Sequence, residues 1–370
     1  MKKQILIAFL LIIFIASIFI FSKKEAEKPS LDEKIGEMLI LGFRGLEVDS
    51  SSKIIKDIND YHLGGVILFN YDVPSSSQIR NIENEDQVKK LISDIKKLSN
   101  KNLLIAVDAE GGCVNRLKKF TNIKSASEMG KEDVSETFNQ GLILGEELKK
   151  LGFNVNFAPV VDVNINEDNP VIGQLERSFS KDPEEVYIHA SSFIDAMHEN
   201  NIMTAIKHFP GHGSSENDSH LGLTDVTNTY NKEIELLPYK KLIKENKLDM
   251  IMTAHIMNRN IDSENPATLS SIFLKDILRG ELKYEGVIVS DDMQMGAIVD
   301  NFGFKESLIK AINAGCDLLI FSNNNKEYDE NIAEKAIKII KEAVSNGEIK
   351  EEQINESYDR IKRLKQAYNL

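Results

Sequence analysis

Residues 203–220 read Met-Thr-Ala-Ile-Lys-His-Phe-Pro-Gly-His-Gly-Ser-Ser-Glu-Asn-Asp-Ser-His. The run 203–206 is short and apolar, which suits a buried strand. It stops at Lys207-His208, and Pro210, Gly211 and Gly213 keep the following loop from being helical. Three of the seven histidines of the chain fall in this window. Charged and titratable groups leaving a buried strand are costly unless they are paired or used. The stretch therefore reads as a strand that delivers polar groups to a working surface.

The same pattern recurs outward in both directions. Short apolar runs lie at 38–41, 66–69, 104–107, 155–157, 203–206, 250–253, 287–289 and 318–321. Between them, 87–98, 134–151, 183–200, 233–244, 271–279 and 305–314 carry apolar residues at three- and four-residue spacing, the period of a helix. Two more helical stretches, 331–345 and 351–368, are joined by Asn346-Gly347. Apolar strands alternating with helices imply parallel βαβ units covered on both faces. Eight such units predict a closed (β/α)8 TIM-type barrel, an α/β fold in a single catalytic domain over 31–370.

Active sites of this fold gather where the strands end. The residues that follow the runs are Asn70-Tyr71, Asp108-Ala109-Glu110, Asp162, Lys207-His208, His255, Ser290-Asp291-Asp292 and Ser322-Asn323. Most are polar or titratable, while the strand starts are bland. That asymmetry favours an enzyme over a structural barrel.

The chain has 370 residues, 42% hydrophobic and 28% charged, with a formal charge of −13 and a pI of about 5.2. Such a balance is that of an ordinary globular protein, and without a basic footprint it disfavours nucleic-acid binding. Residues 1–22 hold Lys2, Lys3 and then an almost unbroken apolar run from Ile5 to Phe21. The run is long enough to cross a bilayer and long for a signal-peptide core. It reads as an uncleaved membrane anchor or, in the alternative, a cleaved signal segment. Residues 23–30 form a polar linker. The catalytic domain is expected at the cell membrane on the extracytoplasmic side, or secreted if the segment is removed. Cys113 and Cys316 lie far apart and read as small buried thiols rather than a disulfide framework.

A carboxylate at a strand end can serve as nucleophile, base or metal ligand. Adjacent carboxylates point apart, so Asp291 is the catalytic candidate and Asp292 a helix N-cap. Asp218 and His220 are spaced i, i+2; a carboxylate beside an imidazole raises its pKa and orients it for general acid/base work, whereas the bland alternative is a solvated loop tip. Lys207 and His208 are read as donors to a polar ligand. His208, His212, His220 and Asp218 could hold zinc, although Pro210 and Gly211 exclude a helical His-x-x-x-His arrangement. No metal or other cofactor is assigned. Asp108 precedes a Gly111-Gly112 pair that permits close approach to a ligand, and Arg116 offers planar donors. Arg177 alone would read as a surface ion pair of little value.

Together these stretches resemble the bacterial β-N-acetylglucosaminidases of glycoside hydrolase family 3. The matching residues are 64–69, Asp108-x-Glu110-Gly111-Gly112, Lys207-His208-Phe209-Pro210-Gly211-His212-Gly213, Asp218-Ser219-His220, 266–270, 286–293 and 314–317. The resemblance implies retaining exo-hydrolysis of terminal β-linked N-acetylglucosamine (or N-acetylhexosamine) from cell-wall glycans or muropeptides. It makes Asp291 the nucleophile, forming a covalent glycosyl-aspartate. It also makes His220 the acid/base, Asp218 its partner, and Asp108, Arg116, Arg177, Lys207 and His208 the sugar-binding set. The run 172–179 is longer than the family's usual run before Arg177. A dyad carried on a loop implies movement toward bound substrate. Phosphorolysis with phosphate as acceptor is the alternative activity, and an inactive sugar-binding barrel the non-enzymatic one. Oligomeric state is left open by the sequence.

Overall fold

The computed structural model describes residues 28–76, 79–218, 222–325 and 327–370. The chain divides into an N-terminal unit, residues 1–31, and a unit of residues 32–370 that contains the barrel. The apolar run assigned as an anchor lies outside the described residues. Among the described residues, no helix is long and apolar enough to cross a membrane.

Eight strands form the barrel: β1 Leu39–Gly42, β2 Gly65–Ile67, β3 Leu104–Val107, β4 Val155–Asn156, β5 Met203–Phe209, β6 Met250–Thr253, β7 Val287–Asp292 and β8 Leu318–Phe321. They close in chain order, and β1 meets β8 through Leu39↔Leu319, Ile40↔Ile320 and Leu41↔Phe321. Every pairing around the ring is parallel. Helices cover the outside, so both faces of each strand are enclosed. The strands accordingly carry continuous Val, Ile, Leu and Met rather than an alternating pattern.

The helices begin where the backbone donors find side-chain acceptors. Asn84 caps Glu85–Leu98, Asp133 caps Val134–Leu151, and Asp182 caps Pro183–Glu199, whose Pro183 occupies the first helical turn. The helix Lys53–Tyr61 was not anticipated; it buries only Ile54, Ile55 and Ile58 as its apolar stripe and pairs Lys53 with the buried Asp57. The predicted helix 271–279 is a π-helix, Ile272–Glu281.

Two strands run further than their apolar residues suggest. β5 continues through Lys207-His208 to Phe209, with a register shift against β6 between Ile206 and Phe209 and cis peptides at Lys207–His208 and Phe209–Pro210. β7 continues through Asp291-Asp292, with a register shift against β8 between Val289 and Asp292. The polar residues expected just past these strands are thus part of the sheet itself. Irregular pairing at a barrel rim re-aims side chains, which suits both positions. Of the two cysteines, Cys316 is buried as expected, but Cys113 is exposed, because the Gly111-Gly112 turn carries it to the surface.

Candidate active site

A cleft of about 360 Å³ opens at the C-terminal ends of the strands. Asp108, Arg116, Arg177, Lys207, His208 and Asp291 all line it, drawn from four segments distant in sequence. Asp218 is described and half-buried but is not among the lining residues. His220 lies outside the described residues.

One wall is a charged network built on β3, β4 and β5. Lys207 Nζ sits 2.9 Å from Asp108 Oδ1 and 2.7 Å from Glu110 Oε1. Glu110 receives a fork from Arg177: Nε to Oε2 and Nη2 to Oε1, each 2.8 Å. Such bidentate geometry fixes a guanidinium in plane and direction. Arg177 is therefore a largely buried, structured ion pair and not a surface one. Its Nη1 also donates to the Val171 carbonyl at 2.9 Å, and its Nη2 stands 3.3 Å from His208 Nε2.

His208 is held from the other side by Asp162. Its Nδ1 is 2.7 Å from Asp162 Oδ2, and its backbone N–H donates to Oδ1 at 3.2 Å. A carboxylate accepts only, so these partners place the ring proton on Nδ1 and leave Nε2 to face Arg177. Both ring nitrogens are engaged by the protein; in this arrangement His208 orients Arg177. Asp162 also accepts from the His212 backbone N–H at 2.8 Å.

Burial works against ionisation throughout this wall, and opposite charges reverse it. Burial alone would raise Glu110, yet Arg177 and Lys207 hold its carboxyl well below the ordinary carboxylate range. Burial would lower Lys207, but Asp108 and Glu110 raise it instead. Asp162 is likewise lowered, its burial outweighed chiefly by His208. At His212 burial wins: it outweighs the pull of Asp162 and pushes the imidazole down to about 4, so it stays neutral. The wall is a set of fixed charges rather than a proton-transfer site.

Asp291 stands across the ring, since β7 faces β3 in an eight-membered barrel. Its carboxylate accepts the Asp292 backbone N–H at 2.7 Å, and its own N–H points to Thr253 Oγ1 at 3.4 Å. Behind it, His255 Nε2 lies 2.9 Å from the Asp292 carbonyl, and Nδ1 lies 2.8 Å from Thr268 Oγ1. Thr268 Oγ1 in turn meets Thr253 Oγ1 at 2.8 Å. This buried chain fixes the backbone that aims Asp291. Asp292 is not an N-cap; the next helix, Gly296–Phe302, has Met295 at that position. Instead Asp292 accepts from the Ser322 backbone and hydroxyl, from Gln294 N–H and from Asn325 Nδ2, tying β7 to the β8 loop. Burial raises its carboxyl.

The loop after β5 is fixed at both ends. Gly213 passes so near the segment after β4 that a Cβ there would lie 1.7 Å from the Val163 carbonyl oxygen, which no side chain can occupy. Asn169 Nδ2 donates to the His212 carbonyl at 2.8 Å, and Asn166 donates to both Gly213 and Ser215. At the far end Thr224–Asp225 pairs with Ile256–Met257. Asp218 and His220 lie in the span between these anchors. Among the described residues, no three His, Cys, Asp or Glu side chains converge as metal ligands.

Glu110, Asp162 and His255 were not assigned roles from sequence, although each follows a barrel strand. Their signal was position alone; what each one holds depends on residues at least 13 positions away.

A barrel mouth in which a carboxylate faces a wall of paired charges has the make-up of an enzyme site, and similarity to known proteins gives its class, a glycoside hydrolase. Residues 30–364 match the Glycosyl hydrolase family 3 N terminal domain, and the chain belongs to that family. It is 38% identical over 293 residues to the Beta-hexosaminidase of Tolumonas auensis, covering 77% of this chain and 83% of the relative. It is 36% identical to the Beta-hexosaminidase of Haemophilus influenzae, covering 78% and 80%. Among solved structures, a glycoside hydrolase family 3 beta-N-acetylglucosaminidase from Paenibacillus sp. superposes with a TM-score of 0.83 at 34% identity. The match covers 92% of this chain, which spans 64% of the length of that one.

Proposed function

We propose that this chain removes terminal β-linked N-acetylglucosamine, or N-acetylhexosamine more broadly, from cell-wall-type glycans with retention of configuration. The observation that carries the reading is that Asp291 shares one cleft with Asp108, Arg116, Arg177, Lys207 and His208. The names of the relatives support the hexosaminidase part.

In this mechanism the terminal sugar is gripped by Asp108, Lys207 and Arg116. The Asp291 carboxylate attacks the anomeric carbon as the bond to the leaving oxygen breaks, giving a glycosyl-aspartate through an oxocarbenium-like transition state. His220 gives its proton to the leaving oxygen; neutral again, it takes a proton from the water that hydrolyses the intermediate. Asp218 stabilises the imidazolium form. A neutral imidazole adds no second negative charge beside the nucleophile, which is the advantage over the paired carboxylates of most glycosidases. The N-terminal apolar run is proposed to tether the domain outside the cytoplasm; resistance of the barrel to protease added to intact cells would break that part.

The test is hydrolysis of chromogenic β-N-acetylglucosaminide beside the β-glucoside, by wild type and Asp291→Ala. Preference for the glucoside overturns the substrate, and full activity of the variant overturns the mechanism. If N-acetylglucosamine-1-phosphate dominates when phosphate is present, the reaction is phosphorolysis.

A further inference from the structure

The cleft is asymmetric in depth as well as in charge. Lys207, His208 and Glu110 lie at its floor, each less than 8% exposed. Its rim on the β2 side is apolar and open: Tyr71 is 40% and Val73 49% exposed. Single exposed apolar side chains are ordinary. Here two lie on one short segment, and both line the catalytic cleft.

The segment between and behind them is built to hold them still. Asp72, at 3% exposure, points the opposite way from its neighbours into a cationic clamp. Arg44 reaches it with Nε and Nη2, each at 3.0 Å, and Arg80 pairs with it from the buried side. Arg44 in turn lies 4.3 Å from the centre of the Tyr328 ring. Asn324, after β8, grips the backbone on both sides of Asp72: its Nδ2 donates to the Tyr71 carbonyl at 3.0 Å, and its Oδ1 accepts the Val73 N–H at 3.0 Å. Arg80 holds Asn324 Oδ1 at 3.1 Å and the Asn323 carbonyl at 2.9 Å. Two arginines, an aspartate and an asparagine thus fix a loop whose visible product is a tyrosine and a valine facing the cleft mouth. Rigid presentation lowers the entropy lost when a ligand docks.

Resting on the exo-hexosaminidase reading above, we propose that Tyr71 and Val73 form the leaving-group subsite and recognise a pyranose through its apolar C–H face. An exo-acting site takes the terminal sugar to its charged floor, so the sugar released first lies toward the rim. A tyrosine ring offers a flat apolar surface with a polar tip, which suits a ring that is apolar on its faces and hydroxylated around its edge. Asp72, Arg44, Arg80 and Asn324 are positioning residues for this platform.

The experiment compares kcat/KM on the β-1,4-linked N-acetylglucosamine disaccharide and on methyl β-N-acetylglucosaminide, whose leaving group is too small to reach the rim. Tyr71→Ala is expected to lower kcat/KM on the disaccharide by about tenfold and on the methyl glycoside by less than about twofold. Tyr71→Phe, which keeps the flat face, is expected to retain disaccharide activity. Equal losses on both substrates, or an unchanged disaccharide rate in Tyr71→Ala, overturn the subsite while leaving the hexosaminidase reading standing. Wild-type enzyme inert on both substrates overturns that reading, and the subsite falls with it.

Discussion

The two ends of this barrel both bury ionised groups, and they do so to different effect. At the N-terminal end, Asp317 accepts from Arg279, Ile288 N–H, Ser357 and Arg360, all within 3.1 Å. Asp249 takes Thr204 N–H and hydroxyl, His198 Nε2 and the Tyr368 hydroxyl. Lys365 divides its donors among Glu37 and the carbonyls of Gly64 and Asn102. These clusters are complete within the protein and tie the last helix, Glu351–Ala367, to the barrel floor. At the C-terminal end the charges are also paired, but Asp108, Lys207, Arg177 and Asp291 border open space. Arg116 adds a buried Nε with no hydrogen-bond partner among the described residues. Buried charge alone does not mark a site; charge that borders a cavity does.

The sharpest way to break this contrast is to remove one carboxylate at each end. Asp291→Ala should lower kcat by about 10⁴-fold or more if Asp291 is the nucleophile, with little change in melting temperature. A variant that unfolds instead would make Asp291 structural and erase the distinction. Next in size, Lys207→Met should lower kcat/KM by about 10²–10³-fold, since Asp108 and Glu110 lose the cation that organises the wall. If only stability fell, the mouth cluster would resemble the floor. At the floor the expectation reverses. Asp317→Asn leaves Arg279 and Arg360 without their counter-charge, costing about 3 kcal/mol in chemical denaturation while kcat on the folded enzyme stays within about twofold.

The smallest effect lies in acid. The buried His212 is held neutral down to about pH 4, whereas an unfolded chain takes up that proton near the ordinary histidine value of 6.5. A lowered folded value means that the stability it contributes is complete above pH 6.5 and is lost progressively as pH falls toward 4. His212→Gln should therefore lose less in melting temperature across that window than wild type, by about 2–4 °C. Parallel melting curves for the two proteins would remove His212 as the cause.

The barrel was legible because its strands are buried on both faces. Each is a short apolar run, and the helices between them keep a clear three-to-four spacing. Lys53–Tyr61 escaped because three isoleucines are a faint stripe. Strand ends were misplaced where charge sits inside the sheet. Lys207, His208, Asp291 and Asp292 look like loop residues by type, and only their pairing in irregular register makes them strand.

Sequence alone determined the ring of eight strands and the titratable residues that follow those strands, because period and composition are local properties; the charged clusters at the strand starts, around Asp249 and Asp317, came only with the fold. Motif resemblance also singled out Asp108, Arg116, Arg177, Lys207, His208, Asp291 and the Asp218–His220 pair. Only tertiary structure decided what those residues do to one another. Arg177 becomes a fork on Glu110, His208 a link between Asp162 and Arg177, and Tyr71 a fixed face at the cleft rim, because each depends on a partner that the closed barrel brings near. A charge in a sequence has a sign; its partner, its burial and therefore its task come from the fold.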